Sequence, residues 1–202
     1  MRGRTRRHGA ARAGYTLIEV MMALGVLTAG SVAIMGMLQA STRGNMEARQ
    51  MTTGNQLAQV WIERLRRDGL TWTTTPLSPT NVPQVAATVA TTTYLRQVPT
   101  AGAAEPWFVP VPTTAGETAN FDFYGADLTE GATPHYCTNV RLGWVFPGQA
   151  MRADVRVWWV RRSNGTAAAD LSGCPTNNLA GLTTNPDVRM VYASTVIRYS
   201  PR

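Results

Sequence analysis

Few residues in this chain are of a type and spacing that could do chemistry. His135 and Cys137 are two residues apart, so a Cys–His nucleophile is arithmetically possible. The second cysteine, Cys174, offers the competing outcome, a disulfide with 36 residues between its ends. In an oxidising compartment an even cysteine pair reads as a disulfide. Such a bridge is worth roughly 3–4 kcal/mol in the chain-entropy model. The separation excludes a CxxC redox site, and His135 is the only histidine beyond the first 14 residues, so a metal centre is not expected. Ser163, Asp170 and His135 form a triad only on paper, because no nucleophile-elbow sequence surrounds the serine. Asp122, Asp127 and Glu130 lack EF-hand spacing. There is no GxxxxGK[ST] and no GxGxxG. All 19 basic residues are arginine, which removes lysine chemistry altogether. No catalytic residue, metal or cofactor is expected.

The remaining reactive group is Glu19, and its oddity lies in its surroundings. Residues 15–42 carry no other charge. The 24 residues from 15 to 38 reach about 36 Å as a helix, enough for a hydrocarbon core of about 30 Å. A carboxylate inside such a span costs roughly 2.5–3.5 kcal/mol at mid-bilayer and less near the interface, and it usually has a partner. The next basic residue is Arg43, about six helical turns on, so no cation in the same helix serves. A snorkelling acid at the interface is the plainer alternative.

Arg2, Arg4, Arg6, Arg7 and Arg12 precede the apolar run, and no acid accompanies them. They account for most of the net charge of +7; the rest of the chain carries only +2. Bulk charge therefore gives little support to nucleic-acid binding. The arginines hold the N-terminus in the cytoplasm by the positive-inside rule, so residues beyond 43 are expected to be translocated. An ordinary signal peptide has the same regions. Its cut would fall near Ala40, but Leu38 stands where a small residue is wanted. A core helix is a third reading, which the arginine block disfavours.

The run Gly14-Tyr15-Thr16-Leu17-Ile18-Glu19-Val20 resembles the signal of type IV prepilins: a basic leader ending in glycine, then an apolar helix with glutamate near its start. Within that family the chain is most similar to the PilV-type minor pilins, over about residues 10–68. Tyr15 departs from the commoner phenylalanine, and Gly36 stands where many major pilins carry a kinking proline. The resemblance implies cleavage between Gly14 and Tyr15 by prepilin peptidase and N-methylation of Tyr15. It also implies pairing of Glu19 with the terminal amine of a neighbouring subunit. Its implied partners are other minor and major pilins and a tip adhesin, with the bacterial inner membrane before assembly and the pilus or cell surface after it. Nucleic acid is not expected as a partner. The implied function is structural: a minor pilin of a type IV pilus or of its initiating tip complex, serving adhesion, motility or DNA uptake. A pseudopilin of a type II secretion system is the sister reading. A secreted binding domain with an ordinary signal peptide is the alternative of another class.

The elements that must position these residues follow in order. The leader is 1–14 and the transmembrane or filament-core helix 15–42. An amphipathic continuation over 43–69 is expected to bury Met46, Gln50, Thr53, Leu57, Val60, Trp61 and Leu65. Arg64, Arg66 and Arg67 suit the helix C-terminus, and Gly69 is a fitting stop. Residues 70–135 are rich in Thr and Pro and read as loops with short strands near 85–95 and 120–124. Trp72, Trp107, Phe108, Phe121 and Phe123 argue for packing on a core rather than a mucin-like stalk. Residues 136–202 read as an antiparallel sheet carrying the disulfide, with strands at 136–146, 154–160 and 188–199. Asn164-Gly165 is a turn signal, which also accounts for the Asn164-Gly165-Thr166 glycosylation sequon. Arg152, Arg156, Arg161 and Arg162 with Trp158 read as a solvated strand face beside Asp154 and Asp170. The expected class is α+β, a type IV pilin fold in which a long hydrophobic helix packs on a C-terminal antiparallel sheet.

Overall fold

The computed structural model describes residues 14–74, 87–111, 117–129, 132–161, 174 and 187–199. Glu130, Arg162, Ser163, Asp170, the Asn164-Gly165 turn and residues 1–13 of the leader lie outside these. The chain divides into two compact units, residues 1–48 and 49–202. One helix, α1 (Leu17–Gly69), contributes to both.

In the first unit the helix begins at Leu17, after a threonine that caps it. Thr16 stands before the first helical residue, and its Oγ1 accepts the Glu19 N–H at 3.3 Å. Thr-x-x-Glu is the sequence of a capping box, and an acid in the first turn suits the positive end of the helix dipole. From Leu17 to Leu38 the large apolar side chains are exposed. Thr28 and Ser31 donate their hydroxyls to the carbonyls of Gly25 and Leu27 at 2.9 and 2.8 Å, so these groups are satisfied within the helix. The helix is long and apolar enough to cross a membrane, as a membrane anchor or as a signal sequence.

In the second unit, α1 supplies the buried stripe Gly54, Leu57, Ala58, Trp61, Ile62, Leu65 and Asp68. The expected stripe differs from this one: Val60 and Met46 are exposed, and Ala58 and Ile62 are buried in their place. Shape accounts for the shift. A side chain at Gly54 would meet the Trp159 ring at 2.7 Å, and one at Gly69 would meet Ile197 at 2.7 Å. The helix therefore lies on the sheet along a side where glycines at 54 and 69 admit the Trp159 ring and Ile197, which a hydrophobicity pattern does not mark.

Two short strands, β1 (Thr73–Thr74) and β2 (Ala87–Thr88), pair antiparallel. The strand expected over 85–95 stops at Thr88 and gives way to two 3-10 turns, Val89–Thr91 and Leu95–Gln97. Asp68 explains the curl. Its carboxylate accepts the backbone N–H groups of Thr93, Tyr94 and Leu95 at 2.7, 2.7 and 2.9 Å, so those donors are drawn to one point and cannot join a ladder.

The main sheet has the order β3-β4-β5-β6, all antiparallel. Its strands are β3 (Asn120–Phe121), β4 (Tyr136–Phe146), β5 (Ala150–Val160) and β6 (Val188–Arg198). The inner face presents Tyr136, Val140, Leu142, Met151, Val155, Val157 and Trp159 to α1, forming the main core. The protein is thus α+β, with one long apolar N-terminal helix and a four-stranded antiparallel sheet.

The outer face of β5 corrects the sequence reading. Arg152 is exposed as expected, but Arg156 is 2% exposed and Trp158 0%. A second buried cluster of Cys137, Trp158, Cys174 and Val188 covers this face. A central strand buried on both sides loses its alternation signal, and what covers it comes from distant parts of the chain.

Candidate functional site

Two places carry the residues singled out by the sequence. The first is the start of α1. Gly14, Tyr15 and Thr16 are exposed and precede the helix. Tyr15, Leu17 and Ile18 are 83%, 81% and 68% exposed, so Glu19 sits in a rim of bare apolar surface. Among the described residues Glu19 has no ion-pair partner. Its backbone N–H is doubly held, by the Thr16 carbonyl at 3.1 Å and the Thr16 hydroxyl. Its backbone is thus tied into the first turn, while its exposed carboxylate has no ion-pair partner among the described residues. The one acid of residues 15–42 stands on an apolar surface. It can select a cation from a partner in a medium of low dielectric, where such pairing is strong.

The second place is the outer face of the sheet. Cys137 and Cys174 form the disulfide, with Cα atoms 5.2 Å apart. This consumes the thiol, so the Cys137–His135 nucleophile is excluded here. Cys174 adopts a φ of 47°, in the left-handed region that a non-glycine residue occupies only when its surroundings hold it. Its carbonyl accepts the Asn139 Nδ2 at 3.2 Å. The Asn139 Oδ1 in turn accepts Arg156 Nε and Trp158 Nε1, both at 3.0 Å. Asn139, 0% exposed, thus joins three elements through one amide. The Trp107 ring lies against the guanidiniums of Arg156 at 4.2 Å and Arg141 at 4.9 Å. Burial pushes the Arg156 guanidinium down to about 10, with the Arg141 charge acting in the same sense, and it remains a cation at neutral pH.

Beside this hub, Asp154 accepts Ser194 Oγ at 2.6 Å and Arg141 at 2.8 Å, and Arg152 lies 3.1 Å away. Burial by itself would raise the Asp154 carboxyl. The hydrogen bonds from Ser194 and Arg141 and the charges of Arg152 and Arg141 outweigh it and hold the group below the ordinary carboxylate range. Arg152 also reaches Glu105 at 2.8 Å. On the opposite side of the unit, Arg64 grips Asp127 with two bonds, 3.2 and 2.8 Å, while its guanidinium lies 5.0 Å from the Trp61 ring centre. Tyr94 donates its hydroxyl to Glu117 at 2.8 Å. Burial, together with that carboxylate, raises the phenol far above its usual range.

Sequence reasoning placed Gly14, Tyr15 and Glu19 together at the start of α1 and paired Cys137 with Cys174. It missed Asn139 as the hub. The available signal was the same-face series Cys137, Asn139, Arg141, a polar row adjoining a predicted bridge. It missed Trp107 as the plate between two arginines, for which the sequence holds no signal. Compared with known proteins, the chain matches no family model, no curated protein and no solved structure.

Proposed function

We propose that this chain is a pilin-like assembly subunit of the minor-pilin type rather than an enzyme. It is made with a leader, cleaved after Gly14 and held by the N-terminal part of α1 in the inner membrane until it enters a filament or its initiating complex. The observation that carries the reading is Glu19: an acid in the first turn of α1, set among exposed apolar side chains, with no ion-pair partner among the described residues. A burial site that supplies a cation relieves its cost, and the terminal amine of a neighbouring subunit has the right charge. The chain's other units of chemistry support a structural role, since the cysteines are bridged and Arg141, Arg152 and Arg156 are engaged with acids, an amide or a ring.

N-terminal sequencing of the protein from cells with an active processing peptidase is expected to give N-methyl-tyrosine at position 15. An N-terminus at Ser41 instead establishes the secreted-module alternative. Glu19→Ala is expected to be cleaved normally but to enter filaments at least tenfold less efficiently than wild type. Equal incorporation of the variant overturns the pairing role.

A further inference from the structure

We propose that an open cleft beside the C-terminal end of α1 binds a free α-amino acid with an apolar side chain. The inference stands on the second unit alone and does not depend on the pilin reading. The cleft measures about 440 Å³ and is lined by Gln59, Val60, Glu63, Arg64 and Arg67 of the helix, with Glu117 as its one lining residue from outside the helix. Clefts of that size hold small molecules by a few placed polar groups over an apolar floor. The five helical residues recur at steps of one, three and four, so they share one side of α1.

The lining is held from behind. Arg64 takes Asp127 with both terminal nitrogens, at 3.2 and 2.8 Å. The same carboxylate accepts the Thr118 N–H at 2.9 Å, so the residue next to Glu117 is tied to the helix. Tyr94 donates its hydroxyl to Glu117 Oε2 at 2.8 Å, which leaves Oε1 without a hydrogen bond among the described residues. Arg64 is thus matched by Asp127, and Glu63 by Arg66 at 2.7 Å. Two charges of the lining are left over, Arg67 and Glu117. Their nearest atoms, Nη1 and Oε1, stand 3.9 Å apart, and the Arg67 side chain is 74% exposed. That gap is too long for a hydrogen bond.

This pair selects the occupant by its two signs. An anion drawn to Arg67 meets Glu117, and a cation drawn to Glu117 meets Arg67. A ligand with both charges side by side satisfies each: its carboxylate takes the planar fork of Arg67, and its ammonium takes Glu117 Oε1. A free α-amino acid carries the two groups on one carbon. The end of a peptide chain carries only one of them, which sets a polypeptide terminus aside. Val60 is 42% exposed, and with the stems of Gln59 and Arg67 it gives the ligand's side chain an apolar floor. Exposed ion pairs are individually weak, so the expected dissociation constant is roughly 1–10 mM.

The test uses the full chain in detergent micelles and three probes that share one carbon skeleton: L-leucine, isocaproate, which lacks the amine, and isoamylamine, which lacks the carboxylate. Magnetic resonance follows the Arg67 Nε–H and the backbone amides of Glu117 and Thr118. L-leucine is expected to shift all three signals saturably, and each one-charge analogue to bind at least tenfold more weakly. Arg67→Gln and Glu117→Gln are each expected to weaken leucine binding at least tenfold. Because the Arg67 side chain is largely exposed, its variant is expected to melt within a few degrees of wild type. Wild-type signals that stay still, or drift without saturating, overturn the proposal, and that measurement needs no variant. An analogue that binds as tightly as leucine overturns the two-charge assignment. Undiminished leucine binding by both variants overturns the site.

Discussion

Asn139 concentrates more consequence in one side chain than any other residue of the sheet. Its amide accepts from Arg156 and Trp158 and donates to the Cys174 carbonyl, all in a site without solvent. Buried polar groups that lose their partners cost about 1–3 kcal/mol each, more when charged. Asn139→Ala strands three such groups and is expected to lower unfolding free energy by about 3–5 kcal/mol, measured by denaturant titration. A loss under about 1 kcal/mol shows that the partners find other bonds. Asp154 lends itself to a pH experiment. Its carboxyl is held below the ordinary range in the folded state, so the unfolded chain binds the proton more readily. The stabilisation is therefore complete above the unfolded value of about 3.9 and fades as pH falls through the lower folded value. Asp154→Asn is expected to flatten the stability profile below about pH 4 relative to wild type, read by melting temperature across pH 2–6.

At the scale of elements, the two faces of α1 carry different glycine logic. Gly54 sits against Trp159 with no room for a methyl group, whereas Gly25, Gly30, Gly36 and Gly44 have nothing within 4 Å. Alanine normally gains about 1 kcal/mol over glycine in a helix. Gly54→Ala is expected to lose stability nonetheless, by about 1–3 kcal/mol of overpacking, while Gly30→Ala leaves unfolding of the second unit unchanged. A calorimetric comparison of the two variants checks this. The helix and the three long strands were legible in the sequence because hydrophobic period is a local signal, although β5 begins at Ala150 rather than at the expected 154. Gly69 as a stop, the strand at 136–146 and the start of β6 at Val188 all rest on such signals. The 3-10 turns after Thr88 were not legible, since the carboxylate that gathers their amides lies more than 20 residues away at Asp68. The burial of Arg156 was hidden for the same reason: Trp107 and Cys174 come to it from far along the chain.

For the molecule as a whole, the bridge between Cys137 and Cys174 fastens a distant stretch of chain to the middle of the sheet. Both cysteines are 0% exposed, so a reductant reaches the bond only after the structure opens. A Cys137→Ser/Cys174→Ser double variant is expected to unfold with about 3–4 kcal/mol less stability. Wild-type protein in dithiothreitol is expected to keep its folded signal for long periods and then unfold with a rate independent of reductant concentration. A rate proportional to dithiothreitol shows that the bond is reached in the native state. Gly14, Tyr15 and Glu19 could be singled out from the sequence because they lie within six residues of one another.

The neighbouring indoles of Trp158 and Trp159 point to opposite sides of one strand, each wholly enclosed. Sliding β5 by a single position relative to its neighbours would exchange them and carry the Arg156 guanidinium in among Trp61, Leu65 and the other greasy groups beneath the helix. Almost any misalignment of this ribbon is thus punished at both surfaces at once. The strand admits one threading, and errors in it are discarded by the same tight fit that makes the correct arrangement durable.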